Sequence, residues 1–204
     1  MGTLLFIVLA ILGIGVLIVL VIGGMGVGIY NRLVTLRNDF KNQFAQIDVQ
    51  LKRRHDLIPN LVETAKGYMA HERGTLDEVV AARNGAVAAR QQAANDPTDP
   101  TAVPKVVAAE GVLTQSLGRL FAVAEAYPDL KANQTMLQLQ TELTDTENRI
   151  SLSRQAYNES VRNYNTQREI FPNSLIAGIF NFAPASLYEI TDPGEREVPK
   201  VSFN

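Results

Sequence analysis

The chain has 204 residues, with 21 acidic and 19 basic side chains, two histidines, and neither cysteine nor tryptophan. Charges this nearly balanced provide no global field that would draw in nucleic acid or select a charged substrate. The absence of cysteine excludes disulfides, thiolate nucleophiles and thiolate metal sites, and leaves the compartment open.

Thr3 to Ile29 is an unbroken apolar run without a charged side chain. A helix of about 20 such residues crosses the hydrocarbon core of a bilayer, and this run is longer. It exceeds the roughly 7–15 residues of a signal-peptide core, no charged residue precedes it, and no A-x-A pattern closes it. It therefore reads as a retained transmembrane anchor, residues 1–29. Gly24 and Gly28 stand in the small-xxx-small spacing that lets membrane helices approach closely, although glycine is common in such helices anyway. Arg32, Arg37 and Lys41 follow the anchor, whereas no Lys or Arg precedes it. By the positive-inside rule this places the following domain in the cytoplasm, in a single-pass membrane protein. The counter-reading is an uncleaved export anchor with the domain outside.

Beyond the anchor, Leu33, Leu36, Phe40, Phe44, Ile47 and Leu51 recur every three or four residues, the stripe of an amphipathic helix. With no proline between anchor and stripe, the spacing predicts a continuous helix from Thr3 to about Ile58, emerging as a stiff stalk. Pro59 is expected to kink or restart it, with the stripe resuming through Ile58, Leu61, Val62, Ala65 and Met69. Gly74 reads as a break. A second helix follows, carrying Leu76, Val79, Val80, Arg83 and Val87 and ending near Ala94. Asn95–Pro100 is dense in turn formers. A third helix is predicted over 101–126, with Val106, Val107, Leu113, Leu117, Leu120 and Phe121 on one side. After the turn at Tyr127-Pro128-Asp129, a last long helix over 129–170 repeats Leu143, Ile150, Tyr157 and Tyr164 every seven residues, a bundle seam. The expected fold is all-α, a transmembrane helix continuing into an elongated antiparallel bundle of about four helices (30–170), then an irregular tail (171–204). In that tail, Pro184, Pro193 and Pro199 favour extended chain. Ser174–Phe182 is apolar but too short to span a membrane.

Reactive groups do not converge. His71-Glu72 is followed by Arg73-Gly74-Thr75 and so lacks the second histidine of a His-Glu-x-x-His zinc site. No nucleophile elbow, phosphate loop or dinucleotide fingerprint occurs. The reading is a non-enzyme without cofactor or metal. Lys52-Arg53-Arg54, beside His55, is the densest basic cluster. Asp48 and Asp56 lie four residues either side of Lys52, in reach of helical ion pairs. No aromatic residues are interleaved for base stacking, which argues against nucleic acid. The last helix mixes Arg154, Tyr157, Asn158, Tyr164 and Asn165 into its seam. These polar groups either bridge and fix helix register or form a groove for a partner helix or peptide. Lys52, Arg53, Arg54, Asp56, Arg154, Tyr157, Asn158, Tyr164 and Asn165 are thus the candidate partner-binding residues. Ile179, Phe180 and Phe182 are candidates for covering the bundle's flank, or for contacting the membrane or a neighbouring subunit.

Gln46-Ile-Asp-Val-Gln-Leu-Lys-Arg-Arg-His-Asp-Leu-Ile-Pro-Asn-Leu-Val-Glu63 resembles the signature of the LemA family of bacterial membrane proteins. Tyr30–Val34, Ala122–Asn133, the pairs Tyr157-Asn158 and Tyr164-Asn165, Phe171-Pro172 and Pro199–Phe203 are similar as well, so the resemblance covers nearly the whole chain. Phe44 stands where many members have tryptophan, and Lys41-Asn42-Gln43 is more polar than usual. The resemblance implies one amino-terminal anchor and a helical bundle. It carries no catalytic residue or cofactor to this chain. Three functional expectations follow: a membrane-anchored scaffold or adaptor that self-associates, an accessory subunit of an envelope hydrolase or protease, and a membrane-shaping protein.

Overall fold

The computed structural model describes residues 1–189, and the expectations for Pro193, Pro199 and the closing Pro199–Phe203 lie outside them. Helix α1 (Gly2–Lys66) is followed by α2 (Arg73–Asn95), α3 (Ala102–Ala124), the single turn α4 (Pro128–Lys131), α5 (Gln134–Glu169) and α6 (Asn173–Ile179). No strand occurs among the described residues. Four long helices alternate in direction, α1 and α3 running away from the anchor and α2 and α5 returning. α1 packs on α5 and α2, and α2 packs on α3, whereas α3 and α5 meet only sparsely. The seam between α3 and α5 is therefore the thin side of the bundle.

α1 alone has 65 residues, about 100 Å of helix. Its first part is long and apolar enough to cross a membrane. α3 passes the same test of length and composition, but its apolar face, including Val106, Leu113 and Leu120, is bundle core. The expected continuous helix forms, running from the apolar stretch into the bundle. The buried stripe of α1 begins at Leu33, four residues past the apolar run, so the bundle abuts the anchor directly.

Pro59 does not restart the helix, and α1 runs through it to Lys66. Proline lacks the N–H that would bond the carbonyl four residues back, which here is that of His55. Arg83, from α2, replaces it: its Nε donates to the His55 carbonyl oxygen at 2.7 Å. A helix tolerates the missing bond because a neighbour supplies a charged donor. Accordingly, Arg83→Met is expected to destabilise the protein by about 1–3 kcal/mol, but by much less when Pro59 is also alanine. Urea denaturation of the four proteins of this cycle measures the coupling; additive effects would refute the compensation.

Two other boundaries differ from expectation. The first break falls at Gly67–Glu72, with Gly74 inside the first turn of α2. The predicted helix over 129–170 is divided, because Asn133 caps α5: its side chain accepts the Met136 N–H at 3.0 Å, a bond that satisfies one of the donors a new helix leaves open. The Leu143, Ile150, Tyr157 and Tyr164 seam is buried throughout. Asp48 pairs not with Lys52 but with Arg90 of α2, at 2.7 Å, while Lys52 takes Asp56.

The core has two parts. A membrane-proximal cluster joins Leu33–Leu51 of α1 to Ala93, Val103–Val107 and Ile150–Tyr164. A distal cluster joins Ile58–Met69 to Leu76–Ala86 and Leu113–Leu143. Phe44 belongs to the first and meets Tyr157 edge-to-face, ring centroids 5.8 Å apart, so an aromatic packing role is kept there.

Candidate functional site

A charged layer about one helical turn thick separates the two apolar clusters. Arg54, His55 and Glu110 in it are all nearly fully buried. His55 Nε2 lies 2.7 Å from Glu110 Oε1, so Nε2 is the ring nitrogen that donates to the carboxylate. His55 Nδ1 has no hydrogen-bond partner. Arg54 reaches three ways: to Thr114 Oγ1 at 2.7 Å, to Glu147 Oε2 at 3.0 Å, and to Glu110 Oε2 at 3.5 Å. The last is an ionic contact too loose to count as a hydrogen bond, and Glu110 Oε2 has none. One side chain of α1 thus ties α3 to α5 across the thin side of the bundle. Lys52, Arg53 and Asp56 point outward from the same stretch, because consecutive helical positions lie about 100° apart and the basic run Lys52-Arg53-Arg54 cannot share one face.

Glu110 was legible as a charge at a core position, between Val106 and Leu113 on the apolar side of α3. Arg83 carried the same signal, standing with Leu76 and Val79 in the stripe of α2, whereas Glu147 carried none, being one polar residue among many on α5.

The second feature is the polar seam of α5, occupied by the chain's own segment 182–188. α6 ends in a reversal: Asn181 takes φ 52°, and the Phe182 N–H bonds the Ala177 carbonyl at 2.9 Å. This is the six-to-one closure of a Schellman turn, in which asparagine tolerates the left-handed position. The chain then runs antiparallel to α5. Asn165 exchanges two bonds with the backbone of Ala185, at 2.9 and 3.0 Å. Asn158 does the same with Tyr188, at 3.1 and 2.8 Å. The hydroxyls of Tyr164 and Tyr157 donate to the carbonyls of Ala183 and Ser186, both at 2.8 Å. The spacing explains the repeat. Seven residues of α-helix rise about 10.5 Å, and three extended residues cover about 10 Å, so a Tyr-Asn pair every heptad meets every third residue of the segment.

Phe182, Ala185 and Tyr188 point inward with that same period and are buried. Arg37 lies over the Phe182 ring at 5.0 Å and Arg154 over the Tyr188 ring at 5.1 Å, cation–π contacts at both ends of the segment. The Nε atoms of both arginines are buried without hydrogen bonds. Ser186 Oγ reaches the Pro100 carbonyl at 2.8 Å, at the start of α3. The segment therefore fills the membrane-proximal part of the α3/α5 seam. Of the three aromatic and aliphatic candidates in the tail, Phe182 is core, whereas Ile179 and Phe180 remain exposed. The expected extended conformation holds for 182–189, but α6 precedes it where the sequence reading had irregular chain.

Burial pushes the phenols of Tyr157 and Tyr188 well above the ordinary tyrosine range, with Glu110 reinforcing the effect at Tyr188. Unfolded phenols ionise near pH 10. Above that pH the unfolded chain holds fewer protons than the folded one, and stability falls as pH rises. Tyr157→Phe and Tyr188→Phe should each flatten the decline of the urea midpoint above about pH 10; slopes unchanged from wild type would contradict the assignment.

The family model described as the LemA family matches residues 43–203, which takes in the charged layer, the α5 ladder and the segment it holds. The chain belongs to the LemA family. Among its relatives, Magnetosome protein MamQ 2 of Paramagnetospirillum magneticum is 26% identical over 184 residues, covering 83% of this chain and 68% of the relative. Magnetosome protein MamQ of Magnetospirillum gryphiswaldense has the same identity and coverage. Protein LemA of Metamycoplasma hominis is 24% identical over 166 residues, 81% of this chain and 71% of the relative. This LemA-family chain is thus a membrane-associated helical-bundle protein.

Proposed function

We propose that the protein is a membrane-tethered scaffold or adaptor that acts through protein–protein contacts and self-association. Its parts are an anchor (1–29), a bundle (30–170) and a tail (171–204), with the bundle in the cytoplasm. The observation that carries this reading is the Tyr157-Asn158 and Tyr164-Asn165 ladder, which holds an extended peptide by its backbone. Backbone hydrogen bonds give affinity with little demand on sequence. The segment that fills the ladder in one copy can fill it in another, an exchange that builds oligomers from existing contacts. Lys52, Arg53 and Asp56, exposed beside the buried layer, supply a charged rim for a partner protein. Arg32, Arg37 and Lys41 support the cytoplasmic orientation, and protease accessibility in intact and opened cells tests it.

The natural absence of cysteine makes exchange measurable. Two differently tagged populations are co-expressed in native membranes, one carrying Ser186→Cys and the other Pro100→Cys. Exchange gives a mixed disulfide between the tags. If that product never forms, while the double variant in a single chain closes internally, the tail stays at home and self-association through the ladder is refuted.

A further inference from the structure

Beside the end of the membrane anchor, α6 packs on α1 with its other face unpartnered. A Cβ placed on Gly26 would meet Ile176 Cδ1 at 3.6 Å, ordinary contact, and the Phe180 ring meets Tyr30 edge-on at 4.8 Å. Facing away are Phe171, Leu175 and Ile179, exposed by 80%, 59% and 71%, and Phe180, at the edge between the two faces, is still 55% exposed. No charged residue occurs from Ile170 to Ala183. Soluble surfaces seldom carry a contiguous apolar patch of this kind without a partner.

The position of the patch identifies its partner. The apolar run Thr3–Ile29 is about 40 Å long as a helix, whereas the hydrocarbon core is about 30 Å thick. The surplus is about two turns. α6 packs against Gly26 and Tyr30, at the end of the run nearest the bundle, where that surplus leaves the hydrocarbon for the headgroup layer. The exposed apolar face of α6 is continuous there with the lipid-facing surface of Val27 and Gly23, which line a shallow groove with Ile176 and Phe180.

We propose that α6 is an interfacial foot, inserting Phe171, Leu175, Ile179 and Phe180 into the membrane surface from which α1 emerges. The occupant of this face is lipid, at the boundary between headgroups and acyl chains, as for other helices that lie in the plane of the interface. The inference is independent of the scaffold reading and of the side on which the bundle lies. It gives the rod a second lipid contact, so that bundle and bilayer meet at a set angle. It also places the Asn181 turn, and hence the start of the 182–188 segment, at the membrane surface.

The absence of tryptophan permits a clean test on the full chain. Phe171→Trp and Ile179→Trp are reconstituted separately in phosphatidylcholine vesicles with or without brominated acyl chains. Leu17→Trp in the anchor and Val112→Trp on the exposed side of α3 serve as references. The foot variants should show blue-shifted emission and strong quenching by lipids brominated near the headgroup, and Leu175→Ser/Ile179→Ser should reduce the quenching at Phe171→Trp. Quenching no greater than at Val112→Trp would overturn the proposal. So would blue-shifted emission that ignores bromine and follows the protein-to-lipid ratio, which would assign the face to a second copy.

Discussion

Replacing Glu110 with alanine is expected to destabilise the bundle by about 3–5 kcal/mol, the cost of breaking a buried ion pair from one side. Two groups lose their counterpart at once. Arg54 keeps only Thr114 and the half-exposed Glu147. His55 loses its Nε2 acceptor and, because Nδ1 already has no partner, becomes a buried imidazole without hydrogen bonds. Glu110→Gln should cost less, since an amide oxygen still accepts from Nε2 while the charge facing Arg54 disappears. The informative comparison is the concerted change Arg54→Met, His55→Leu and Glu110→Leu. Removing all members of a buried ionic cluster is often neutral or stabilising by about 1–4 kcal/mol. Urea denaturation at neutral pH measures all three proteins. If Glu110→Ala is as stable as wild type, the layer contributes neither stability nor order.

The layer's value lies then in specificity. Without Arg54 and His55, α1 would present one stripe of similar apolar residues, and a slide of one turn against α3 would still bury apolar surface. With Arg54 and His55 in place, the same slide puts unpaired charge into an apolar cluster, above or below. The concerted apolar variant is therefore expected to lose uniqueness before stability, giving broadened or doubled side-chain NMR signals.

Much of this architecture was readable because it rests on period. The stripe of α1, the heptad seam of α5 and the apolar face of α3 all follow from spacing, and each is buried as spacing predicts. What escaped depends on partners distant in sequence. Pro59 reads as a point where the helix could restart because the missing bond is local and its replacement, Arg83, lies 28 residues away on another helix. Asp48 reads as a partner of Lys52 because helical neighbours are visible, and Arg90 is not. The Tyr-Asn repeat was visible as a polar seam, but its ligand was not, since recognition by backbone atoms leaves no mark on the sequence of the segment recognised. Only the three-residue period of Phe182, Ala185 and Tyr188 hinted at it, and a period of three suggests no regular helix or strand.

That ladder carries the second large effect. Tyr157→Ala should cost about 3–5 kcal/mol, the range for deleting a buried aromatic ring. Tyr157 is completely buried and meets both Phe40 and Phe44 edge-to-face, so the space it leaves is walled by rigid rings that close over it poorly. Tyr157→Phe keeps the ring and removes only the bond to the Ser186 carbonyl, a loss of about 1 kcal/mol. Asn158→Ala with Asn165→Ala separates holding the segment from packing the helices. It spares the aromatic core but leaves four backbone groups of Ala185 and Tyr188 without partners. Released into water, those groups are satisfied by solvent, so the segment should detach while the four long helices stay folded. Limited proteolysis reads this directly: cleavage between Ala183 and Glu189 should accelerate strongly in the double asparagine variant and only slightly in Tyr157→Phe, with helical circular dichroism retained in both. Equal cleavage in wild type and the double variant would mean that Phe182 and Tyr188, under their arginines, hold the segment without the ladder.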